Sequence, residues 1–148
     1  MAKEFVDGPT LSAVINGLLK GSEGGVEHVS RYGDILARVH SEGIALGDSK
    51  PSNVVVSNQG LCLTDLEQAF PGGDQAWDVA EFLYYTAKLS IKEEAMKRVA
   101  SSFLASYSKI GNRANLAKAR GQKYFGPFRP FLTPGMARML RDMLSAYA

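Results

Sequence analysis

The chain has 148 residues, 45% of them hydrophobic and 22% charged, which is ordinary globular usage and excludes disordered, collagen-like and low-complexity architectures. That length makes one domain with a real core. No apolar run reaches the roughly 18 residues of a membrane span, and the opening Met-Ala-Lys-Glu-Phe-Val-Asp-Gly lacks the apolar stretch of a leader.

The single cysteine, Cys62, has no partner for a disulfide and no cluster for zinc, which fits a reducing compartment. The expected location is the cytoplasm, with no membrane partner. The net charge of +2 hides an asymmetry: residues 1–94 carry 7 Lys/Arg against 14 Asp/Glu, and residues 95–148 carry 10 against 1. Halves of opposite sign either attract each other across the fold or leave one face for a metal nucleotide and another for phosphate, nucleic acid or an acidic partner.

In chain order, Pro9 is placed as a first helical residue, and Leu11, Val14, Ile15, Leu18 and Leu19 follow on one face of an amphipathic helix. A second helix from Val26 shows Val29, Tyr32, Leu36 and Val39 on one side and stops at Gly43, a favourable left-handed position. Val54–Val56 and Leu61–Thr64 flank Ser57-Asn58-Gln59-Gly60, a turn sequence, and predict a small β-hairpin. From Asp74 to Lys88 apolar residues occupy nearly every side, as in a buried central helix. Another helix is expected over Ile91–Tyr107, followed by a basic stretch with Pro and Gly over 110–132. Thr133-Pro134 then opens a last helix with Met136, Met139, Leu140, Met143, Leu144 and Tyr147 as its core stripe. The expected class is therefore α+β, mainly α.

The segment richest in chemistry is Gly47-Asp48-Ser49-Lys50-Pro51-Ser52-Asn53, followed by the hairpin and Thr64-Asp65-Leu66-Glu67. Two acids, an amide and a lysine gather on loops at the ends of short strands. Phosphoryl transfer from a magnesium nucleotide needs such a set: a carboxylate for the acceptor hydroxyl, a cation near the moving phosphoryl group, and oxygen ligands for the metal.

Asp-x-Lys-Pro-x-Asn, with an aspartate twelve residues further on after a hydrophobic hairpin, resembles the catalytic loop and metal-binding segment of the protein-kinase-like superfamily. Glu4-Phe5-Val6-Asp7-Gly8 is similar to the hinge, His40-Ser41-Glu42-Gly43-Ile44 to the approach to the catalytic loop, and Asp78 in Trp77-Asp78-Val79-Ala80 to the aspartate opening the buried helix of the C-terminal lobe. The resemblance implies Asp48 as catalytic base and Lys50 as the cation on the transferred phosphoryl group. It also implies Asn53 and Asp65 as magnesium ligands, Val55 under adenine, and Glu4, Phe5 and Val6 at the adenine edge. Asp78 would brace the loop backbone and His40 anchor it from the core. The implied cofactors are ATP and Mg2+.

The departures narrow the resemblance. Leu46-Gly47-Asp48 replaces His-Arg-Asp, Glu67 replaces the glycine of Asp-Phe-Gly, and only twelve residues separate Asp65 from Asp78, with no Ala-Pro-Glu segment. These features are similar to compact atypical kinases: the KEOPS tRNA-modification kinase, RIO kinases, lipopolysaccharide-core kinases and aminoglycoside phosphotransferases. No glycine-rich phosphate loop or strand lysine precedes Glu4, so residues 1–148 are expected to form one kinase-like C-terminal lobe that starts at the hinge. Such a lobe is either a fragment, the favoured expectation, or a stand-alone chain, and its N-terminal lobe would be supplied in cis or in trans. A small-molecule phosphotransferase and a non-catalytic pseudokinase or RNA-binding scaffold stand as alternatives. Lys109, Arg113, Lys118, Arg120 and Lys123 are expected to form a positive surface for an acidic protein or tRNA. Tyr124, Phe125, Phe128 and Phe131 are available there either for base stacking or for closing the lower core.

Overall fold

In the computed structural model, which describes residues 7–148, the first expected helix forms as α1 (Leu11–Leu19). Pro9 is not its first residue. Thr10 is the N-cap, its hydroxyl accepting from the Ala13 N–H at 3.1 Å. Pro9 instead offers its carbonyl to Val56 N–H at 2.8 Å, and Thr10 bridges Val55, so both residues are held extended against the hairpin before the helix begins. Leu11, Ile15, Leu18 and Leu19 are buried.

Helix α2 (Val26–Ser41) ends as its sequence predicts, with Gly43 at φ 77°. It packs lengthwise on α4 (Glu93–Ile110), which starts two residues later and runs three residues further than expected. Ile91, placed in that helix from its apolar character, is 80% exposed. Gly33 lets the two helices approach: a Cβ there would stand 2.5 Å from the Phe103 carbonyl oxygen. Around this crossing Tyr32, Phe82, Phe103 and Tyr107 form an aromatic core, with centroids 4.9 Å (Tyr32–Phe82), 4.5 Å (Phe82–Phe103) and 5.9 Å (Phe103–Tyr107) apart. Each such side chain, fully buried, contributes roughly 1.5–3 kcal/mol.

Helix α3 (Gln75–Ala87) is the central element, with ten of its thirteen residues buried and Asp74 as N-cap. The hairpin forms as β2 (Val54–Ser57) and β3 (Gly60–Leu63), in the register Val54 to Leu63 and Val55 to Cys62. The sequence allows one or two short hairpins, and the second strand pair that forms is long-range rather than a hairpin. β1 (Ile44–Ala45) lies antiparallel to β4 (Phe70–Pro71), with Ala45 opposite Phe70.

The basic stretch is more ordered than its Pro and Gly content predicts. It folds as α5 (Arg113–Ala119), α6 (Gln122–Phe125) and a 3-10 turn over Gly126–Phe131, leading into α7 (Pro134–Tyr147). Asn112 and Thr133 cap α5 and α7. Tyr124, Phe125 and Phe128 are buried, so three of the four aromatics weighed for base stacking close the lower core; Phe131 is exposed. The architecture is mainly helical α+β, with two small two-stranded sheets. No described helix is long and apolar enough to cross a membrane.

Candidate active site

The site is built around Asp78, which is fully buried in the first turn of α3. A carboxylate there has to be satisfied by donors, and three converge on it. Oδ2 accepts from Leu46 N–H at 2.7 Å and His40 Nε2 at 2.9 Å, and Oδ1 accepts from Gly47 N–H at 2.9 Å. Ser49, also buried, donates its hydroxyl to the Asp78 carbonyl at 2.6 Å. The loop after β1 is thus fastened to α3 at three successive points, residues 46, 47 and 49.

His40 is fixed on its other side. Its Nδ1 lies 2.7 Å from Tyr107 Oη, which accepts from Asn115 Nδ2 at 3.0 Å. Asn115 Nδ2 also donates to Gln75 Oε1, and Gln75 Nε2 donates back to the His40 carbonyl at 2.8 Å. Because Asn115 already donates to Tyr107, the tyrosine proton goes to Nδ1 and the imidazole proton sits on Nε2, facing Asp78. Burial pushes the Tyr107 hydroxyl up to about 12, so it stays protonated for this role. Gln75, Tyr107 and Asn115 were missed from the sequence. They belong to three helices, and nothing local marks them as one network.

Gly47 makes the loop turn. Its φ is 76°, and a Cβ there would stand 2.7 Å from the Gln68 carbonyl oxygen. Beyond it, Asp48, Lys50 and Asn53 line one tight crevice, together with Tyr32, Leu46 and Thr64. Lys50 Nζ lies 3.4 Å from Asp48 Oδ1. That oxygen is buried and has no hydrogen-bond partner among the described residues. The Asp48 charge is the main cause that raises the Lys50 ammonium above its usual range, which keeps it cationic.

Asn53 donates Nδ2 to the Asp48 carbonyl at 3.3 Å. Its own carbonyl accepts from both Thr64 N–H at 2.8 Å and Thr64 Oγ at 3.0 Å. This double clamp seats the backbone of Asp65 beside Asn53. Asp65 is the one non-glycine residue with positive φ among those described, at 54°, a conformation that aspartate tolerates better than most residues. Its side chain is exposed and does not line the crevice. The structure therefore gathers Asp48, Lys50 and Asn53 directly and brings Asp65 alongside through its neighbour.

Val55 follows the buried Val54 on the opposite face of β2, across from Cys62. Glu4, Phe5 and Val6 lie outside the described residues. Among the described residues no three His, Cys, Asp or Glu side chains form a metal-binding cluster. One amide oxygen, Asn53 Oδ1, left free by the Nδ2 bond, and one exposed carboxylate, Asp65, make a short donor set. Such a set fits Mg2+, which keeps waters and takes its remaining ligands from phosphates.

Glu81 is a further member that sequence reading missed. It is buried, and its Oε2 accepts from Ser49 N–H at 3.3 Å. Burial raises its carboxyl to about 7, and the Asp48 carboxyl beside it adds to the rise, while the Ser49 N–H and Lys50 oppose it. The available signal was its spacing: three residues after Asp78 on a helix with apolar residues on nearly every side, an acid has to face the same polar loop. No family model matches the chain, and no curated protein sequence matches it.

Proposed function

We propose that this chain is the C-terminal catalytic lobe of an ATP- and Mg2+-dependent, protein-kinase-like phosphotransferase of the Ser/Thr type, or of an ATPase built on the same parts. The observation that carries the reading is the pinning of the Leu46–Asn53 loop to Asp78 together with the Thr64 clamp on Asn53. These bonds hold a general base, a cation and a metal-ligand pair on a preorganised backbone, and positioning is most of what phosphoryl-transfer catalysis requires.

Asp48 orients the acceptor hydroxyl, or water, and takes its proton as the acceptor oxygen bonds to the γ-phosphorus and the bond to ADP breaks. Its buried oxygen is desolvated and turned toward Lys50. Lys50, with its side chain one-third exposed, reaches from the crevice toward the transferred phosphoryl oxygens. Asn53 and Asp65 would hold the metal, which would supply positive charge to the phosphates. Val55 would lie under adenine; Glu4, Phe5 and Val6, which the resemblance assigns to its edge, lie outside the described residues. We assign the groups that would clamp the outer phosphates to a glycine-rich N-terminal lobe supplied in cis or in trans, because residues 7–148 place none over the Asp48 crevice. A small-molecule acceptor is the second reading. It is favoured by the β1–β4 pair and the Gly72 N–H to Gly43 carbonyl bond at 2.9 Å, which fold the 66–73 segment down and leave no long platform for a peptide.

The test is thermal unfolding with and without MgATP, paired with phosphotransfer assays in the presence of the N-terminal lobe. At ten times Kd the ligand adds about 1.4 kcal/mol. Asn53→Ala and Asp65→Asn remove that increment. Asp48→Asn keeps it and lowers turnover by roughly 10² to 10⁴. A MgATP shift unaffected by Asn53→Ala and Asp65→Asn contradicts the site.

A further inference from the structure

Between the α5–α6 segment and α7 lies a groove of about 520 Å³ whose walls carry Arg120, Arg129, Arg138 and Arg141 against one acid, Asp142. None of the four guanidiniums is within ion-pair distance of a carboxylate among the described residues. Lys123, expected to belong to the same positive surface, is by contrast neutralised by Asp74 at 3.0 Å.

Two of the arginines are preorganised. Arg120 Nε donates to the Arg141 carbonyl at 3.0 Å, and Arg141 Nε donates to the Arg120 carbonyl at 3.2 Å. This reciprocal pair ties the end of α5 to α7 through Nε alone, and among the described residues the terminal Nη groups of both have no hydrogen-bond partner. Arg141 is steadied further by lying 5.2 Å from the Phe125 ring centroid. Those bonds give Arg120 and Arg141 a structural reason to be there. Arg129 and Arg138 have none: both are exposed, and their side chains make no hydrogen bond or ion pair among the described residues.

Four like charges around one concavity repel each other, and the apolar floor of Phe125, Leu132 and Ala137 lowers the screening between them. A multivalent anion relieves that repulsion, and planar guanidinium forks match phosphate oxygens in pairs. The positive end of α7 is not needed for this, because the Glu93 carboxylate already sits against Gly135 in its first turn.

We propose that this groove is a binding site for a small anion carrying two or more phosphate groups. Its volume is that of a small-ligand site. Nucleic acid is disfavoured because Tyr124, Phe125 and Phe128 are buried, and the one exposed aromatic of that stretch, Phe131, does not line the groove. No residue of the groove belongs to the Asp48 crevice, so this site stands or falls independently of the phosphotransfer reading.

The experiment is calorimetric titration of the full chain with inorganic tripolyphosphate in EDTA, which removes metal-dependent binding at Asn53 and Asp65. One-to-one binding is expected, weakening at least about tenfold in Arg129→Ala/Arg138→Ala, whose exposed side chains are not needed for folding, and weakening as salt rises. Lys109→Ala/Lys118→Ala, a change of equal charge outside the groove, leaves affinity within about twofold. Absent binding at low salt overturns the proposal. So does binding that the two double variants weaken equally, which marks diffuse charge, or a single-stranded oligoribonucleotide that binds at least about tenfold tighter than tripolyphosphate, which marks a nucleic-acid surface.

Discussion

Replacing Asp78 by asparagine keeps the shape of the side chain and removes one acceptor. Oδ2 serves two donors, Leu46 N–H and His40 Nε2–H, and Oδ1 serves one, Gly47 N–H. The amide therefore settles with its oxygen toward the first pair and its NH2 against Gly47. One buried N–H is then left facing another donor, at a cost of about 1–3 kcal/mol. The two remaining bonds pass from charge-assisted to neutral and lose about 1 kcal/mol each. Asp78→Asn is thus expected to destabilise the fold by about 3–5 kcal/mol, a large share of a domain's total stability. Urea unfolding reads this as a lowered midpoint at unchanged slope. Amide exchange should also accelerate at Leu46 and Gly47 before it does so in α2 or α4. A loss below about 1 kcal/mol, or unchanged protection at residues 46 and 47, would refute the idea that Asp78 holds the loop.

Two further outcomes follow from the same geometry. The Glu81 carboxyl is raised from 4.5 to about 7, so between those values the folded chain holds a proton that the unfolded chain has lost. The stability this contributes is fully present below pH 4.5 and declines as pH rises through about 7; relative to Glu81→Gln, unfolding profiles should show a decline of up to about 3 kcal/mol across that window, and a constant difference would contradict it. Gly47→Ala should cost at least about 2 kcal/mol, measured by urea unfolding, because φ 76° strains any L side chain and the new Cβ meets Gln68 backbone.

Where the chain's local chemistry and its tertiary environment agree, the fold was legible in the sequence. The α7 stripe from Met136 to Leu144 and its Thr133 cap, the nearly all-apolar α3, and the Ser57–Gly60 turn all lie where their residues place them. Illegible parts were those decided at long range. β1 and β4 are two residues each and pair across a separation of 25 to 27 positions, too short to show any alternation. Pro9 is a sound first helical residue by local preference, and the hairpin edge overrides it by taking its carbonyl. Likewise, the motif residues Asp48, Lys50 and Asn53 were recognisable by type and spacing. The groups that hold them, Tyr107, Asn115, Gln75 and Glu81, look like ordinary helix residues until the helices are packed.

The central claim is that the Asp48–Asn53 loop and Asp65 form one metal–nucleotide site, and it is tested most directly by paramagnetic broadening of backbone amides with Mn2+ and ATP in place of Mg2+ and ATP. The account predicts that the amides of Asp48, Asn53, Thr64 and Asp65 broaden first and together, that Asp65→Asn abolishes this, and that α4 and α7 are untouched. Broadening centred on another acidic surface, such as Glu93 and Glu94, or broadening at Asp65 that leaves Asn53 sharp, would contradict it.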